Sequence, residues 1–269
     1  MRYTAGIDVG STYTKAVIVD DDRRVVGRGV DPTGFKLAEV SERVLQRALD
    51  EAGLVRSRLD YVIATGFGRH QVAGSDTQVT DLTASARGTT FLFPRTRTIL
   101  DVGGQTMKAS RIDGRAAVKS FRLNDKCAAG TGAFLEKTAR YLGYSVEEIG
   151  PLVSTSKTAV AISGVCAVFA ESEVINQLSE GTPPADIMHG AIVSLVNRSV
   201  QLLKRVQMES EFTLIGGIMR FDKMVAVVRD QLRQPVNIPA GDLVQLTSAL
   251  GAALLGLQRM EKLSARVEA

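Results

Sequence analysis

Hydrophobic positions along this chain follow two different spacings. Short apolar runs at 3–9, 14–20 and 25–30 are typical of strands, and a helical period over 36–52 follows them and stops at Gly53. The same order, short strands and then helical segments, fills the rest of the chain. It predicts an α/β fold.

The remaining elements are predicted from the same spacings. Two strands are expected around the loop after Asp101, one from 98 to that loop and one from the loop through 112. Further strands are expected at 59–65, 117–123, 212–215 and 235–238. Helices are expected at 82–90, from the turn at 130–132 to about 142, and at 145–152, 166–178, 185–208, 221–232 and 246–259. The last ten residues are expected to be frayed.

One arrangement occurs twice. An apolar strand ends in Asp8-Val9-Gly10, another ends in Asp101-Val102-Gly103, and a second strand follows each loop; the two aspartates are 93 positions apart (101 − 8). The repeat suggests two related half-structures that face each other. We therefore expect two domains, 1–95 and 96–269, with the C-terminal helix able to return to the first and both cysteines in the second.

Composition and charge narrow the function classes. Hydrophobic residues make up 45% of the chain, and the formal net charge of +4 is scattered rather than clustered with aromatics, so nucleic-acid binding is not expected. The longest apolar run, at 249–257, is too short to span a bilayer. Because the chain enters a predicted strand at once, we expect no signal peptide and a cytoplasmic location.

The two loops have the composition of anion-binding turns. An anionic ligand needs backbone N–H groups with no Cβ in the way, and Gly10-Ser11-Thr12 and Gly103-Gly104-Gln105 each offer them. Asp8 and Asp101 end the strands at these loops and would hold Mg²⁺, directly or through water. Lys15 is placed to offset phosphate charge. Together these residues predict a nucleotide site.

Three further features extend this prediction. Gln105 could orient an attacking water, Gly216-Gly217 follows an apolar strand and could admit a flat nucleoside, and Gly130-Thr131-Gly132 is a further glycine-rich turn counted as cofactor-binding. Any one loop taken alone is more typical of a tight turn than of a ligand site. Neither a Walker loop nor a Rossmann loop is present, since Gly-x-x-x-x-Gly-Lys-Ser/Thr is missing and a strand follows the first loop.

The chain's two cysteines, Cys127 and Cys166, each precede a predicted helix. A helix N-terminus favours a thiolate, the form that binds metal. A [4Fe–4S] cluster takes four thiolates, so a cluster here would require two chains that each contribute two cysteines. Two buried thiols or a redox disulfide remain open, and His70 and His189 are too far apart in sequence to suggest a zinc site.

The chain resembles the ATPases that activate 2-hydroxyacyl-CoA dehydratases and the ATPase subunits of benzoyl-CoA reductases. The likeness covers essentially the whole chain, and the two cysteine motifs are its most specific part. The matching motifs are Gly6-Ile7-Asp8-Val9-Gly10-Ser11-Thr12, Thr65-Gly66-Phe67-Gly68-Arg69, Asp101-Val102-Gly103-Gly104-Gln105, residues 124–132, residues 166–175 and Gly216-Gly217.

This resemblance implies a fold of two ribonuclease-H-like domains, as in the actin, sugar-kinase and heat-shock superfamily, with ATP or ADP and Mg²⁺ in a cleft between them. It implies a [4Fe–4S] cluster shared by two subunits through Cys127 and Cys166. The implied activity is ATP-driven, low-potential electron transfer. The implied partners are an identical or related ATPase chain, a CoA-thioester reductase or dehydratase component, and a ferredoxin- or flavodoxin-like electron donor.

One position departs from the family pattern. Dehydratase activators usually carry Asp directly after Gly-Gly-Gln, where this chain has Thr106. The departure favours a benzoyl-CoA reductase ATPase subunit as the main expectation, with a homodimeric dehydratase activator as the alternative. A small-molecule kinase of the same superfamily and a non-catalytic assembly ATPase are more distant alternatives, and iron content separates both from the electron-transfer class.

Overall fold

The computed structural model describes residues 1–125, 130–163 and 167–267. Short 3₁₀ helices lie at Arg56–Arg58, Arg69–Gln71 and Gly217–Arg220. The strands are β1 (Tyr3–Val9), β2 (Tyr13–Asp20), β3 (Val25–Pro32), β4 (Tyr61–Thr65), β5 (Thr77–Gln78), β6 (Thr98–Val102), β7 (Met107–Ile112), β8 (Val118–Asn124), β9 (Phe212–Ile215) and β10 (Val236–Asn237). The helices are α1 (Leu37–Ala52), α2 (Asp81–Leu92), α3 (Gly132–Tyr141), α4 (Ile149–Ser154), α5 (Ala167–Ser179), α6 (Pro184–Arg205), α7 (Asp222–Leu232) and α8 (Leu243–Val267).

The chain divides into two compact units. Unit 1 comprises Met1–Arg95, Ile112–Val118 and Gln245–Ala269, and unit 2 comprises Thr96–Arg111 and Lys119–Val244. The expected domain limits at residues 95 and 96 stay a prediction.

Each unit is built on a five-stranded sheet, and the two sheets have the same strand order. Unit 1 has the order β3-β2-β1-β4-β5, and unit 2 has β8-β7-β6-β9-β10. In each unit the first strand pairs antiparallel with the second and parallel with the fourth. Parallel pairing of the first and fourth strands places their carboxyl ends at one edge of the sheet, where α/β proteins commonly bind ligands.

In unit 1, helices cover both faces of the sheet. The amphipathic helix α1 buries its apolar stripe against Ile7 and the alternate residues of β1 that share its face. On the opposite face the hydroxyl of Thr4 donates to the carbonyl of Ala253 in α8 over 2.8 Å. A Cβ on Gly6 would meet the backbone of α8 at Ala249, so this helix lies directly on the strand.

In unit 2, the long helix α6 lies at the centre of the largest buried cluster. Its apolar face packs with α3, α4 and α7 against residues of β6 and β7 such as Leu100 and Met107. Pro184 is the first residue of α6, where its missing N–H costs nothing. The sequence of α6 carries apolar residues around much of its circumference because helices and sheet surround it.

The predicted elements agree with the structure in kind and differ mainly at their ends. Strands β1 and β9 have the predicted bounds, and α4 begins at Ile149, four residues later than expected (149 − 145). The expectation of frayed C-terminal residues was wrong for the described part, since α8 continues to Val267 and Glu261 contacts Arg23 at 3.3 Å. In the described part of the chain, no helix combines the length and apolar character that crossing a membrane requires.

Candidate functional site

The loop of unit 1 begins with an ion pair between neighbouring strands. Asp8 lies one residue before the end of β1, is only 7% exposed and stands opposite Lys15 of β2 in the antiparallel register. The ammonium group of Lys15 donates to Asp8 Oδ2 over 3.0 Å. Directly opposed residues of antiparallel strands have adjacent side chains, so the register itself creates this pair.

The loop 10–12 follows β1 and is fixed by Thr33, the residue directly after β3. The N–H of Gly10 donates to the carbonyl of Tyr13 over 3.2 Å, which closes the turn. The buried Thr33 donates its hydroxyl to the carbonyl of Gly10 over 2.8 Å and its N–H to the carbonyl of Thr12 over 2.9 Å. Ser11 and Thr12 are partly exposed, so a ligand can approach this loop.

A glycine after β4 completes the arrangement in unit 1. Gly66 has φ = +86°, and a Cβ there would meet Asp8 Oδ1 and the carbonyl of Val9. Only glycine combines this conformation with so close an approach. The two oxygens of Asp8 therefore have different neighbours, Lys15 at Oδ2 and the bare Cα of Gly66 at Oδ1.

Unit 2 repeats these parts at the same spacing. Asp101 stands opposite Lys108 in the register of β6 and β7, and the ammonium nitrogen of Lys108 lies 3.6 Å from Asp101 Oδ2. The N–H of Gly103 donates to the carbonyl of Thr106 over 2.8 Å and closes the turn. After β9, Gly216 has φ = +99°, and a Cβ there would lie 2.8 Å from Asp101 Oδ1.

The loop of unit 2 is fixed by a helix rather than by a threonine. At the start of α3 the N–H of Gly132 donates to the carbonyl of Gly103 over 2.9 Å, and the N–H of Ala133 donates to the carbonyl of Gly104 over 2.6 Å. Thr131 is the N-cap residue of α3 and is fully buried. The turn 130–132 thus supports the loop that was predicted to bind phosphate.

The remaining predicted ligand-binding residues have these positions. Gln105 is exposed at the tip of its loop. Gly130 is buried, and a Cβ there would lie 2.6 Å from the side-chain nitrogen of Asn124. Gly217 begins a 3₁₀ helix directly after Gly216.

Cys127 and Cys166 lie outside the described residues. Within residues 1–125, 130–163 and 167–267, no three His, Cys, Asp or Glu side chains form a metal-binding group. The metal role predicted for Asp8 and Asp101 would therefore need phosphate or water oxygens as further ligands, as is usual for Mg²⁺.

Two residues that the sequence analysis did not name belong to these arrangements, Lys108 and Thr33. Gly66 was named there only within a matching motif, with no role assigned to it. Lys108 was recognisable from spacing, since both lysines follow their aspartates by seven positions (15 − 8 and 108 − 101). Thr33 carries no local signal, because its role depends on the pairing of β2 with β3.

A second polar cluster lies at the start of α6. The carboxylate of Asp186 accepts hydrogen bonds from the N–H of Thr158 at 3.2 Å and the hydroxyl of Ser156 at 2.8 Å. These bonds, the Thr158 N–H foremost, lower the pKa of Asp186. Ser156 also contacts His189 Nδ1 at 3.0 Å, and burial lowers the pKa of His189. The cluster fixes the turn at 156–158.

Comparison with known proteins identifies the class. Residues 5–256 match the model of the BadF/BadG/BcrA/BcrD ATPase family. The chain belongs to this family, as the resemblance of its motifs predicted.

Curated relatives narrow the comparison. The chain is 39% identical to the activator of lactoyl-CoA dehydratase of Anaerotignum propionicum, over 97% of this chain and 99% of the relative. It is 38% identical to the 2-hydroxyisocaproyl-CoA dehydratase activator of Clostridioides difficile, over 94% of each. It is 35% identical to a benzoyl-CoA reductase subunit of Thauera aromatica, over 98% of this chain and 96% of that one.

Two solved structures confirm the predicted fold class. One is component A of (R)-2-hydroxyglutaryl-CoA dehydratase from Acidaminococcus fermentans, with a TM-score of 0.91, 35% identity and coverage of 96% of this chain and 99% of that chain. The other is the 2-hydroxyisocaproyl-CoA dehydratase activator of Clostridium difficile with bound ADPNP, with a TM-score of 0.92, 36% identity and coverage of 98% and 97%.

These comparisons favour the alternative expectation over the main one. The two relatives of highest identity above are dehydratase activators, whereas Thr106 had favoured a benzoyl-CoA reductase subunit. Thr106 closes its loop through the main-chain carbonyl, which any residue would supply.

Proposed function

We propose that this chain is the ATP-hydrolysing activator of a 2-hydroxyacyl-CoA dehydratase and delivers single electrons at low potential to that partner. The observation that carries the proposal is the Asp–Lys pair beside a glycine loop, present once in each unit, on a chain whose activator relatives are 38% and 39% identical to it. The activator of known structure with bound ADPNP supports the nucleotide part.

The phosphate contacts are assigned to both loops. Because the N–H groups of Gly10 and Gly103 already close their own turns, the contacts fall to the next N–H groups along each loop. These belong to Ser11 and Thr12 in unit 1 and to Gly104 and Gln105 in unit 2. The exposed side chain of Gln105 is proposed to orient the attacking water, and Gly216-Gly217 to contact the nucleoside.

Mg²⁺ is assigned to the aspartate carboxylates. When bound, it would neutralise charge on the phosphates. Asp8 and Asp101 each keep Oδ2 beside a lysine and Oδ1 beside a glycine Cα, so each carboxylate has a fixed orientation. Lys15 and Lys108 are proposed to balance the negative charge at the two loops.

The electron-transfer part rests on the cysteine motifs. A [4Fe–4S] cluster, when bound, would supply the one-electron carrier, and its four thiolates require Cys127 and Cys166 from each of two identical chains. Moving one electron uphill by a few hundred millivolts costs about 5–10 kcal/mol, which ATP hydrolysis can supply. The donor is proposed to be a ferredoxin- or flavodoxin-like protein.

A second candidate is supported by one comparison. The identity of 35% to a benzoyl-CoA reductase subunit, over nearly the full length of both chains, favours an ATPase subunit that pairs with a related rather than an identical chain. The two candidates differ in what completes the cluster. Iron bound by the chain expressed alone favours the activator, and iron bound only after co-expression with a related chain favours the reductase.

The test is a pair of variants in protein purified without oxygen. We expect about two irons and two acid-labile sulfides per chain in the homodimer, because one four-iron cluster is shared by two chains. Cys127→Ser should lose this iron and keep ADP binding. Asp101→Asn should keep the iron and lose about 100-fold in ATP hydrolysis, the usual cost of removing one preorganised polar group.

Each variant should lose one property and keep the other, so the pair tests the iron–sulfur part and the ATPase part of the proposal separately. Full iron and full electron transfer in Cys127→Ser would exclude the cluster assignment. Unchanged hydrolysis in Asp101→Asn would exclude this carboxylate from the ATPase site. ATP binding without iron under either expression condition would leave a kinase or an assembly ATPase.

A further inference from the structure

Thr65, the last residue of β4, carries a buried hydroxyl without a partner among the described residues. The residue is fully buried, and its Oγ1 makes no hydrogen bond. Two other buried threonines of unit 1 are satisfied: Thr4 donates to Ala253, and Thr14 pairs with Thr33 at 2.9 Å. Because burying an unsatisfied hydroxyl costs free energy, such a group in a native site commonly has a ligand or water as its partner.

The strand register places this hydroxyl beside the proposed metal-binding carboxylate. Thr65 stands directly opposite Asp8 in the parallel pairing of β1 and β4. Paired residues of neighbouring strands point to the same face. This face is the one that carries Thr4 and Gly6, and Thr65 and Asp8 lie together at its carboxyl end.

The two oxygens of the Asp8 carboxylate have different neighbours. Lys15 occupies Oδ2 at 3.0 Å, and Oδ1 lies against Gly66, the residue that follows Thr65. With a glycine at this point, no Cβ covers Oδ1. A carboxylate oxygen and a hydroxyl at the same strand ends form a pair of polar groups suited to a hydrated cation.

Unit 2 shows that the hydroxyl is not needed to build the arrangement. There Asp101 stands opposite Ile215, which is 1% exposed, at the position that Thr65 occupies in unit 1. The cross-strand lysine and the glycine of positive φ are both kept. At this strand position the two sites differ: Thr65 stands opposite Asp8, and an apolar side chain stands opposite Asp101.

We propose that Thr65 is a positioning residue for the divalent cation, and that its hydroxyl holds a metal-bound water next to Asp8 Oδ1. Mg²⁺ keeps several waters when it binds proteins, and hydrogen bonds to a metal's ligands typically change metal affinity by about 10–100-fold. Asp8 is then the stronger cation-binding carboxylate of the two. The inference rests on the proposed function, since it deepens the metal site of that ATPase.

The experiment measures Mn²⁺ binding by electron paramagnetic resonance, with and without ADP, on the intact chain. Thr65→Val removes the hydroxyl at nearly constant shape, and Thr65→Ser keeps it. Thr138→Val is the matched control, since Thr138 is 1% exposed in α3 and its hydroxyl is also unsatisfied among the described residues. We expect Thr65→Val to weaken Mn²⁺ binding about 10-fold, and Thr65→Ser and Thr138→Val to change it less than about 3-fold.

Each outcome decides the assignment. Unchanged Mn²⁺ affinity in Thr65→Val would overturn it, and so would equal weakening in Thr65→Ser, because packing rather than the hydroxyl would then matter. Equal weakening in Thr138→Val would overturn it as well. ADP affinity of the wild type in the presence of Mg²⁺ tests the proposed function separately: a chain that binds no ADP fails that proposal, while the Mn²⁺ titration without nucleotide still decides the role of Thr65.

Discussion

The loop after β1 and the loop after β6 are built from the same parts but are held differently. Each has an aspartate at the strand end, a lysine opposite it and a glycine of positive φ beside it. The first loop is tied down by Thr33, a side chain next to the same sheet. The second is tied down by main-chain N–H groups of α3.

The two loops therefore depend on different parts of the chain for their shape. A loop held by its own sheet keeps its shape independently of distant segments. The loop of unit 2 shares hydrogen bonds with a helix that begins at Gly132, five positions after Cys127 (132 − 127). Any displacement of this loop must therefore stretch or carry the start of α3.

The largest expected effects come from the two glycines that the loops share. Gly66→Ala and Gly216→Ala each force a Cβ toward an aspartate oxygen and a backbone carbonyl at a strained φ, so each should lower the free energy of unfolding by about 3 kcal/mol or more. Gly143→Ala is the control, since Gly143 has φ = +83° with open space around it. It should cost about 1–2 kcal/mol. Urea unfolding measures all three, and equal losses would show that φ alone matters.

Smaller effects are expected from removing the contacts that hold the two loops, Thr33 in unit 1 and the first N–H groups of α3 in unit 2. Thr33→Val leaves the Gly10 carbonyl without its donor and should cost about 1–2 kcal/mol. Ala133→Pro removes the N–H that reaches the Gly104 carbonyl at a helix position that tolerates proline, and should cost about 1 kcal/mol.

Hydrogen exchange is the measurement for these anchors. Faster exchange should be confined to residues 10–12 in Thr33→Val and to residues 103–105 in Ala133→Pro. Ala133→Ser keeps the N–H and should exchange like the wild type. Faster exchange at both loops in either variant would contradict independent anchoring.

The smallest expected effect is a response to acid. The N–H of Thr158 and the hydroxyl of Ser156 lower the pKa of Asp186 in the folded chain. The resulting stabilisation is complete above the unfolded pKa of about 3.9 and is lost as the pH falls through the folded value. The Tm difference between the wild type and Asp186→Asn should therefore shrink below about pH 4.

The hydroxyl of Thr33 does not titrate, so it provides the comparison for this experiment. The Tm loss in Thr33→Val should stay constant between pH 7 and about pH 3.5, because a neutral hydrogen bond has no linkage to protons. Thermal unfolding followed by circular dichroism suffices. A constant difference for Asp186→Asn as well would show that its carboxylate is not a stabilising anchor.

Local patterns in the sequence predicted much of this fold. The strand bounds of β1 and β9 followed from apolar runs, and Gly53 marked the end of α1 with φ = +64°. The repeated Asp-x-Gly spacing revealed the two half-structures. These features depend on neighbours in the chain, which is why a single sequence shows them.

Other features depend on partners far away in the chain. Glu261 of α8 contacts Arg23, and Thr33 fixes a loop more than twenty residues earlier (33 − 10 = 23). Thr65 begins a motif that matches the family, but only the strand register places it opposite Asp8. Contacts of this kind follow from strand pairing and helix docking, which no local pattern records.

The contact of Thr4 with Ala253 also bears on how the chain acquires its shape during synthesis. One face of the first sheet is covered by residues that are synthesised 249 positions after the strand they cover. Until then, Gly6 and its neighbours lack the helix that lies on them. Unit 1 is therefore completed after unit 2 although its first strand is made before unit 2, and a nascent chain stalled before residue 245 would expose that surface to chaperones and to aggregation.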